Sequence, residues 1–295
     1  MDDPDGGYAL LDVGGARRLE RFGGFVLDRP APAAEGVARR DPKAWSLAAA
    51  GYDRAQRAGE GGWQPVGTLP ERWTTTIDGL PFELRPTPAG QVGLYPEHAA
   101  VARWTAGAAE ANARARGRPA TVLNLFAYTG LASLVLARAG ARVVHVDASR
   151  PAVAWARRNA ALAGLADRPI RWLVEDAVRF VAREARRGRI YDGVILDPPT
   201  YGHGPSGGAW RLADDLEPLV AAIAPLLDPE QWFLACTAHT AALEPDDLAG
   251  LVGAALGWAA GTPPVVELAL EAESGARLSA GWAVLATSGR REGRA

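Results

Sequence analysis

Four short segments of this chain place acids, aromatics and small residues where a ligand could be held. The first reads Asn124-Leu125-Phe126-Ala127-Tyr128-Thr129-Gly130 and follows a short apolar run. With a single glycine it lacks the Gly-x-Gly-x-x-Gly spacing that lets a backbone approach a pyrophosphate, which argues against NAD or FAD. One glycine and two aromatics suit a cofactor without phosphate. The helix N-terminus behind the loop would attract a carboxylate. S-adenosylmethionine, with an amino-acid end and a sugar, fits those terms.

The second segment is His145-Val146-Asp147-Ala148-Ser149, with Asp147 placed 23 residues after Asn124. An acid at that place can accept hydrogen bonds from both ribose hydroxyls of an adenosine. A helix N-cap is the structural alternative, but Ser149 before Pro151 is the better cap and leaves Asp147 free. In the third, Glu175-Asp176-Ala177, Asp176 can either accept from an adenine amino group or cap the following helix. The fourth reads Asp197-Pro198-Pro199-Thr200-Tyr201. Two prolines fix the backbone beside the carboxylate, so Asp197 and the neighbouring carbonyls form a rigid set of acceptors for a planar substrate. Tyr201 can stack on its face. The glycine-rich stretch that follows, to Trp210 and Arg211, reads as an active-site loop whose two last residues could stack on and hydrogen-bond a base.

These segments need strands to hold them. From residue 100 apolar strands alternate with helices: Thr121 to Leu125, Arg142 to Val146, Ile170 to Val174, Gly193 to Leu196 and Trp232 to Thr237 are strands. Helices of roughly 10–15 residues between them mean a parallel, doubly wound sheet, with ligands outside the carboxyl ends of its strands. Val265 to Glu271 and Gly281 to Thr287 flank Glu273-Ser274-Gly275-Ala276, a hairpin rather than a further crossover. The α/β class expected is therefore a seven-stranded sheet closed by an antiparallel C-terminal hairpin, over residues 96–295. Residues 1–95, rich in Gly and Pro with short apolar runs, read as a small, mostly β accessory domain. In it Asp78-Gly79 is a two-residue hairpin signal.

Composition sets the outer limits. The 295 residues are 48% hydrophobic and 22% charged, ordinary globular values that exclude a disordered chain or a coiled coil. No apolar run is long enough for a membrane helix. The acidic start Met1-Asp2-Asp3 is unlike a signal peptide, so a cytoplasmic protein is expected. The single cysteine, Cys236, excludes an internal disulfide and a cysteine-rich metal site, and no metal is expected. Net charge is −2, so bulk electrostatics lend duplex nucleic-acid binding no support; Arg183, Arg186, Arg187 and Arg189 are one local basic candidate.

Taken in order, Asn124 to Gly130, Val146-Asp147-Ala148-Ser149, Glu175-Asp176-Ala177 and Asp197 to Tyr201 resemble the S-adenosylmethionine-dependent methyltransferases related to the large-subunit ribosomal RNA base methyltransferases. The resemblance runs from about residue 75 to 240. Gly93-Leu94-Tyr95-Pro96-Glu97-His98 is similar to a stretch that family places before its catalytic domain, against the cofactor. The N-terminal part looks like a short-form branch without a PUA-type RNA-binding module. The resemblance implies a class I methyltransferase with a donor site drawn from Tyr95, Asn124, Phe126, Tyr128, Thr129, Gly130, Asp147, Ala148, Ser149, Asp176, Ala177 and Asp197. It implies a catalytic turn of Asp197, Pro198, Pro199 and Tyr201, with Trp210 and Arg211 on the substrate. Relatives that make 5-methylcytosine use a cysteine in a Cys-Ser step after the fifth strand. Here His239-Thr240 takes that place and Cys236 lies inside the strand. The expected reaction is methyl transfer to a ring or exocyclic nitrogen of a nucleobase in single-stranded or loop RNA. A small-molecule or protein acceptor is the alternative, and a non-catalytic cofactor-binding protein the third reading.

Overall fold

The element that positions everything else is a seven-stranded sheet whose central strands are buried on both faces. The computed structural model describes residues 7–53, 61–203, 209–240, 243–258 and 262–288, in two compact units. One comprises Met1–Ala99 with Leu268–Ala280, the other Ala100–Glu267 with Gly281–Ala295.

The first unit carries β1 (Tyr8–Gly14), β2 (Arg17–Phe22), β3 (Phe25–Pro30), β4 (Ala50–Asp53) and β5 (Gly62–Pro65), paired in that order. Only β3 and β4 run parallel. A separate hairpin joins β6 (Trp73–Ile77) to β7 (Leu80–Leu84), and Asp78 (φ 51°) and Gly79 (φ 70°) make its turn as the sequence predicts. Pro30 ends β3, and the chain enters a 3₁₀ turn with Ala34 buried beside Leu10 and Val13. Two of the carboxylates buried here are held by named donors. Glu20 accepts from Arg29 Nε at 2.8 Å and Nη2 at 2.5 Å, and Asp12 accepts from Trp45 Nε1 at 2.9 Å and Ser274 Oγ at 2.7 Å. Such partners are the condition for burying a carboxylate at all.

After the hairpin the chain enters α1 (Ala99–Arg116) and then alternates: β8 (Thr121–Leu125), α2 (Leu131–Arg138), β9 (Arg142–Asp147), α3 (Arg150–Leu162), β10 (Ile170–Val174), α4 (Ala177–Arg186) and β11 (Gly193–Leu196). A short ribbon of β12 (Tyr201–His203) and β13 (Ala209–Arg211) leads into α5 (Leu212–Ile223), then β14 (Phe233–Ala238), α6 (Pro245–Leu256), β15 (Val265–Glu271) and β16 (Arg277–Thr287). The sheet order is β10-β9-β8-β11-β14-β16-β15. The first five strands are parallel and β14–β16 is antiparallel, which is the sheet and C-terminal hairpin the sequence implies.

Every residue of β11 and β14 is buried, as strands covered by helices on both faces require. Phe180, Leu216, Val220, Ile223, Leu248 and Val252, from α4 to α6, fill the core on one face. Ser149 caps α3 through Ala152 N–H at 3.3 Å, with Pro151 in the first turn. The chain crosses from one half of the sheet to the other after β10, so the loops following β8, β9 and β11 open on one crevice. Among the described residues no helix is long and apolar enough to cross a membrane.

The end of β14 depends on a close backbone approach. Gly281 has φ 122°, and a Cβ there would lie 2.2 Å from the Ala238 carbonyl oxygen and 3.1 Å from His239 Cα. Gly281→Ala should therefore lower stability by about 1–3 kcal/mol, the usual cost of forcing atoms into a filled site, and displace His239. Thermal unfolding measures the first effect, and a shift of the His239 ring resonances in the folded variant the second.

Candidate active site

The loop after β8 holds a conformation that its side chains alone would not choose. Phe126 (φ 55°) and Tyr128 (φ 48°) both have left-handed backbones, and Gly130 follows at φ 98°. A bulky residue at positive φ costs on the order of 1–3 kcal/mol and persists only where its surroundings fix it. Several bonds do so. Ala127 N–H donates to the Val146 carbonyl at 3.1 Å, Asn159 Nδ2 donates to the Thr129 carbonyl at 3.0 Å, and Tyr128 N–H donates to Asp147 Oδ2 at 2.8 Å. Gly130 permits the close pass of α3, since a Cβ there would meet Ala156 Cβ at 3.2 Å.

Asp147, at the carboxyl end of β9, also accepts from Ser149 N–H through Oδ1 at 2.8 Å. Burial pushes its carboxyl above the usual aspartate range and the charge of Asp197 adds to that, while the two N–H donors oppose it. A carboxylate offers about four lone-pair positions, so each oxygen keeps capacity for another donor. Two vicinal hydroxyls are the ligand such a pair of oxygens matches. Ala148, between the two, is exposed.

Asn124 and Thr129, which the sequence places in the donor site, are only 3% and 2% exposed. Asn124 Nδ2 donates to Ser133 Oγ at 2.9 Å, and Ser133 Oγ lies 3.0 Å from His145 Nδ1. Burial lowers the His145 pKa to about 3, with Arg157 assisting, so its imidazole is neutral. These residues support the loop from beneath. Asp176 caps α4, accepting from Arg179 N–H at 3.0 Å, with Ala177 buried as the first helical residue. Tyr95 belongs to the other unit, in edge contact with His98 at 6.1 Å between ring centroids.

Beyond β11 the register of the sheet does the positioning. Leu196 lies opposite Cys236, so Asp197 comes level with Thr237. Asp197 Oδ1 accepts from Thr237 Oγ1 at 2.5 Å and from His239 Nε2 at 3.0 Å. The prolines Pro198 and Pro199 carry the chain into the β12–β13 ribbon, where Tyr201 pairs with Arg211. Trp210, predicted to stack on a base, packs against Phe126 (ring centroids 5.3 Å apart) and donates from Nε1 to the Pro199 carbonyl at 2.7 Å. It clamps the Asp-Pro-Pro turn onto the donor loop. Arg211 is exposed, 3.8 Å from Asp214, and its N–H donates to Asp215 at 2.6 Å. Tyr201 is 77% exposed and so open to a partner. The centre of the predicted active-site loop, residues 204–208, lies outside the described residues.

His239 and Thr237 as supports of Asp197 were not anticipated. The available signal was their position at and just past the end of the strand beside β11.

Residues 52–254 match the family of S-adenosylmethionine-dependent methyltransferases. The chain belongs to that family. A crystal structure of the SAM-dependent methyltransferase from Agrobacterium tumefaciens is 34% identical, with a TM-score of 0.83, over 96% of this chain and 90% of that one. Among curated proteins, the ribosomal RNA large subunit methyltransferase K/L of Shewanella sp. (strain ANA-3) is 31% identical over 172 residues, 58% of this chain and 22% of that protein. The protein of the same name from Methylococcus capsulatus is 34% identical over 139 residues, 46% of this chain and 18% of that protein. The chain thus spans about a fifth of these curated relatives.

The site fits the family's cofactor. The two oxygens of Asp147 suit a ribose, the carboxylates of Asp147 and Asp197 suit a nearby sulfonium, and the loop lacks the glycines a pyrophosphate needs. If Asp147 holds the ribose, Asp147→Ala leaves two hydroxyls without their acceptor, at roughly 1.5–3 kcal/mol, and should weaken S-adenosylmethionine binding about ten-fold or more. Calorimetry on the folded variant checks this. Because its pKa is raised, Asp147 takes up a proton at higher pH than an ordinary aspartate. Donor affinity in the wild type should therefore begin to fall on acidification above about pH 4, the range where a free aspartate titrates.

Proposed function

We propose that this protein transfers a methyl group from S-adenosylmethionine to a nitrogen of a nucleobase in RNA, presented as an unpaired base. The observation that carries this reading is that two acids, Asp147 after β9 and Asp197 after β11, flank the loop that follows β8. Each Asp147 oxygen keeps room for a donor beside its backbone N–H bond, and Asp197 is fixed by Thr237 and His239 at the start of a rigid turn. The kinship with ribosomal RNA large subunit methyltransferases supports RNA as the acceptor class. Bound S-adenosylmethionine supplies an electrophilic methyl carbon on a sulfonium that becomes neutral as the methyl leaves.

The residues of this chain then have to align an acceptor nitrogen and keep water out. Asp197 and the carbonyls of the Pro198–Pro199 turn accept hydrogen bonds from the amino edge of the base. Tyr201 stacks on its face. Trp210 holds the turn's carbonyl direction through its bond to Pro199. Alignment of this kind supplies most of the rate, since misplacement by ~1 Å can cost ~100-fold. Covalent catalysis is not part of the reading. Cys236 is fully buried within β14, and burial pushes its thiol well above the ordinary range, away from the thiolate a nucleophile needs.

Tritium transfer from labelled S-adenosylmethionine to RNA, to protein and to a metabolite pool tests the proposal. Label in RNA supports it, and label confined to protein or metabolites overturns it. Tyr201→Ala should lower turnover or acceptor affinity about ten-fold or more while donor affinity stays within about three-fold, because base–aromatic stacking contributes ~1–3 kcal/mol. Equal loss of donor binding would contradict an acceptor role. Cys236→Ala should keep most activity, and RNA containing 5-fluorocytosine should form no covalent adduct with the enzyme.

A further inference from the structure

The net charge of −2 conceals a strong internal separation. From Arg138 to Arg189 the chain has twelve arginines and five acids; from residue 209 to 258 it has eight acids and one arginine. Both stretches belong to the second unit. The sheet converts this sequence asymmetry into a spatial one. The basic stretch forms β9, β10, α3 and α4 at one edge of the sheet, and the acidic stretch supplies α5 and α6 beyond β11.

Within the basic half, α4 carries Arg179, Arg183 and Arg186 at spacings of four and three, which line one face of a helix. The opposite face, with Ala177, Phe180, Val181 and Glu184, is buried. Arg179, Arg186, Arg187 and Arg189 are exposed. Arg183 is anchored by Glu175, with Nη2 at 2.6 Å from Oε2, and Arg187 lies 3.4 Å from Glu184. Arg171 on the edge strand β10 and Arg189 lie close enough to Tyr191 to oppose the upward push that burial and Glu184 give its phenol. Glu175 and the buried Glu184 engage Arg183 and Arg187 and Asp176 caps the helix, so guanidinium groups still outnumber acids along this surface.

The placement of this surface gives it a purpose. α4 starts at Asp176, and Glu175 N–H donates to the Asp147 carbonyl at 3.0 Å. The arginine face thus starts beside the crevice that holds Asp147 and runs along the sheet toward the amino ends of the strands, about 10 Å from Arg179 to Arg186 at 1.5 Å per residue. Building on the RNA reading above, we infer that the α4–β10 edge holds the phosphate backbone of the RNA strand whose base enters the crevice. Arginine suits the task because its planar fork matches phosphate oxygens, and such contacts fix position without reading sequence.

The test compares binding of a fluorescent single-stranded RNA by wild type and by Arg179→Gln/Arg186→Gln/Arg189→Gln, with the corresponding triple Glu variant beside it. None of these side chains is buried or part of the donor or acceptor site, and Arg183 and Arg187 keep their partners. RNA affinity at low salt should fall at least ten-fold in the Gln variant and further in the Glu variant. The slope of log K against log salt should flatten by about 2, three lost contacts at ~0.7 each for single strands. S-adenosylmethionine affinity should stay within about two-fold, which also reports that the variants are folded. Wild type that binds RNA with variants binding equally well would overturn this inference and leave the RNA reading standing. Wild type that binds no RNA, or that shows this arginine dependence only toward acidic peptides or anionic vesicles, would overturn both.

Discussion

The carboxylate of Asp147 receives the Tyr128 and Ser149 N–H groups at 2.8 Å each, and the geometry of the crevice follows from those two bonds. They join the loop after β8 to the loop after β9, its neighbour in the sheet. The bond from Tyr128, with those of Ala127 and Asn159, holds two aromatic residues at positive φ. The reciprocal gain is electrostatic. Burying a carboxylate beside another acid is unfavourable, and two oriented N–H donors offset much of that penalty without using up either oxygen. An acid held in this way is ready for a ligand before one arrives, which lowers the cost of ordering the site on binding.

The position of Asp197 rests on sheet register instead. The pairing of Leu196 with Cys236 sets Asp197 against Thr237, and one residue of slip would turn the hydroxyl to the opposite face. His239 adds a second donor to the same oxygen, and Gly281 keeps the antiparallel neighbour close enough for that end of β14 to stay in place. The two sides meet through Phe126 and Trp210. One ring contact and one indole N–H tie the Asp-Pro-Pro turn to the donor loop, so a shift on either side is felt by the other.

Much of this was legible in the residues. The strand–helix alternation, the Ser149 cap, the Asp78-Gly79 turn and the C-terminal hairpin are local signals, and each formed where its side chains favour it. That Asp147 does not cap α3 was legible because a better cap, Ser149, stood two residues away. The roles that were missed belong to side chains whose partners are distant in sequence. Asn124 reads as a ligand contact because it opens the loop motif, yet its strand position points it inward to Ser133 and His145. Trp210 reads as a stacking platform, but the β12–β13 ribbon folds it back onto its own turn. His239 carries no motif, and only the order of strands β11 and β14 brings it to Asp197.

If Asp147 and its loop are built in advance for the ribose of the donor, a crystal structure with S-adenosylhomocysteine should show both ribose hydroxyls within about 2.6–3.2 Å of the Asp147 oxygens, the ordinary range for such bonds. Phe126, Tyr128 and Gly130 should keep their positive φ, and the Tyr128 and Ser149 N–H groups should stay on the carboxylate. A ribose bound elsewhere, or a loop that abandons those bonds to admit the ligand, would refute preorganisation by Asp147.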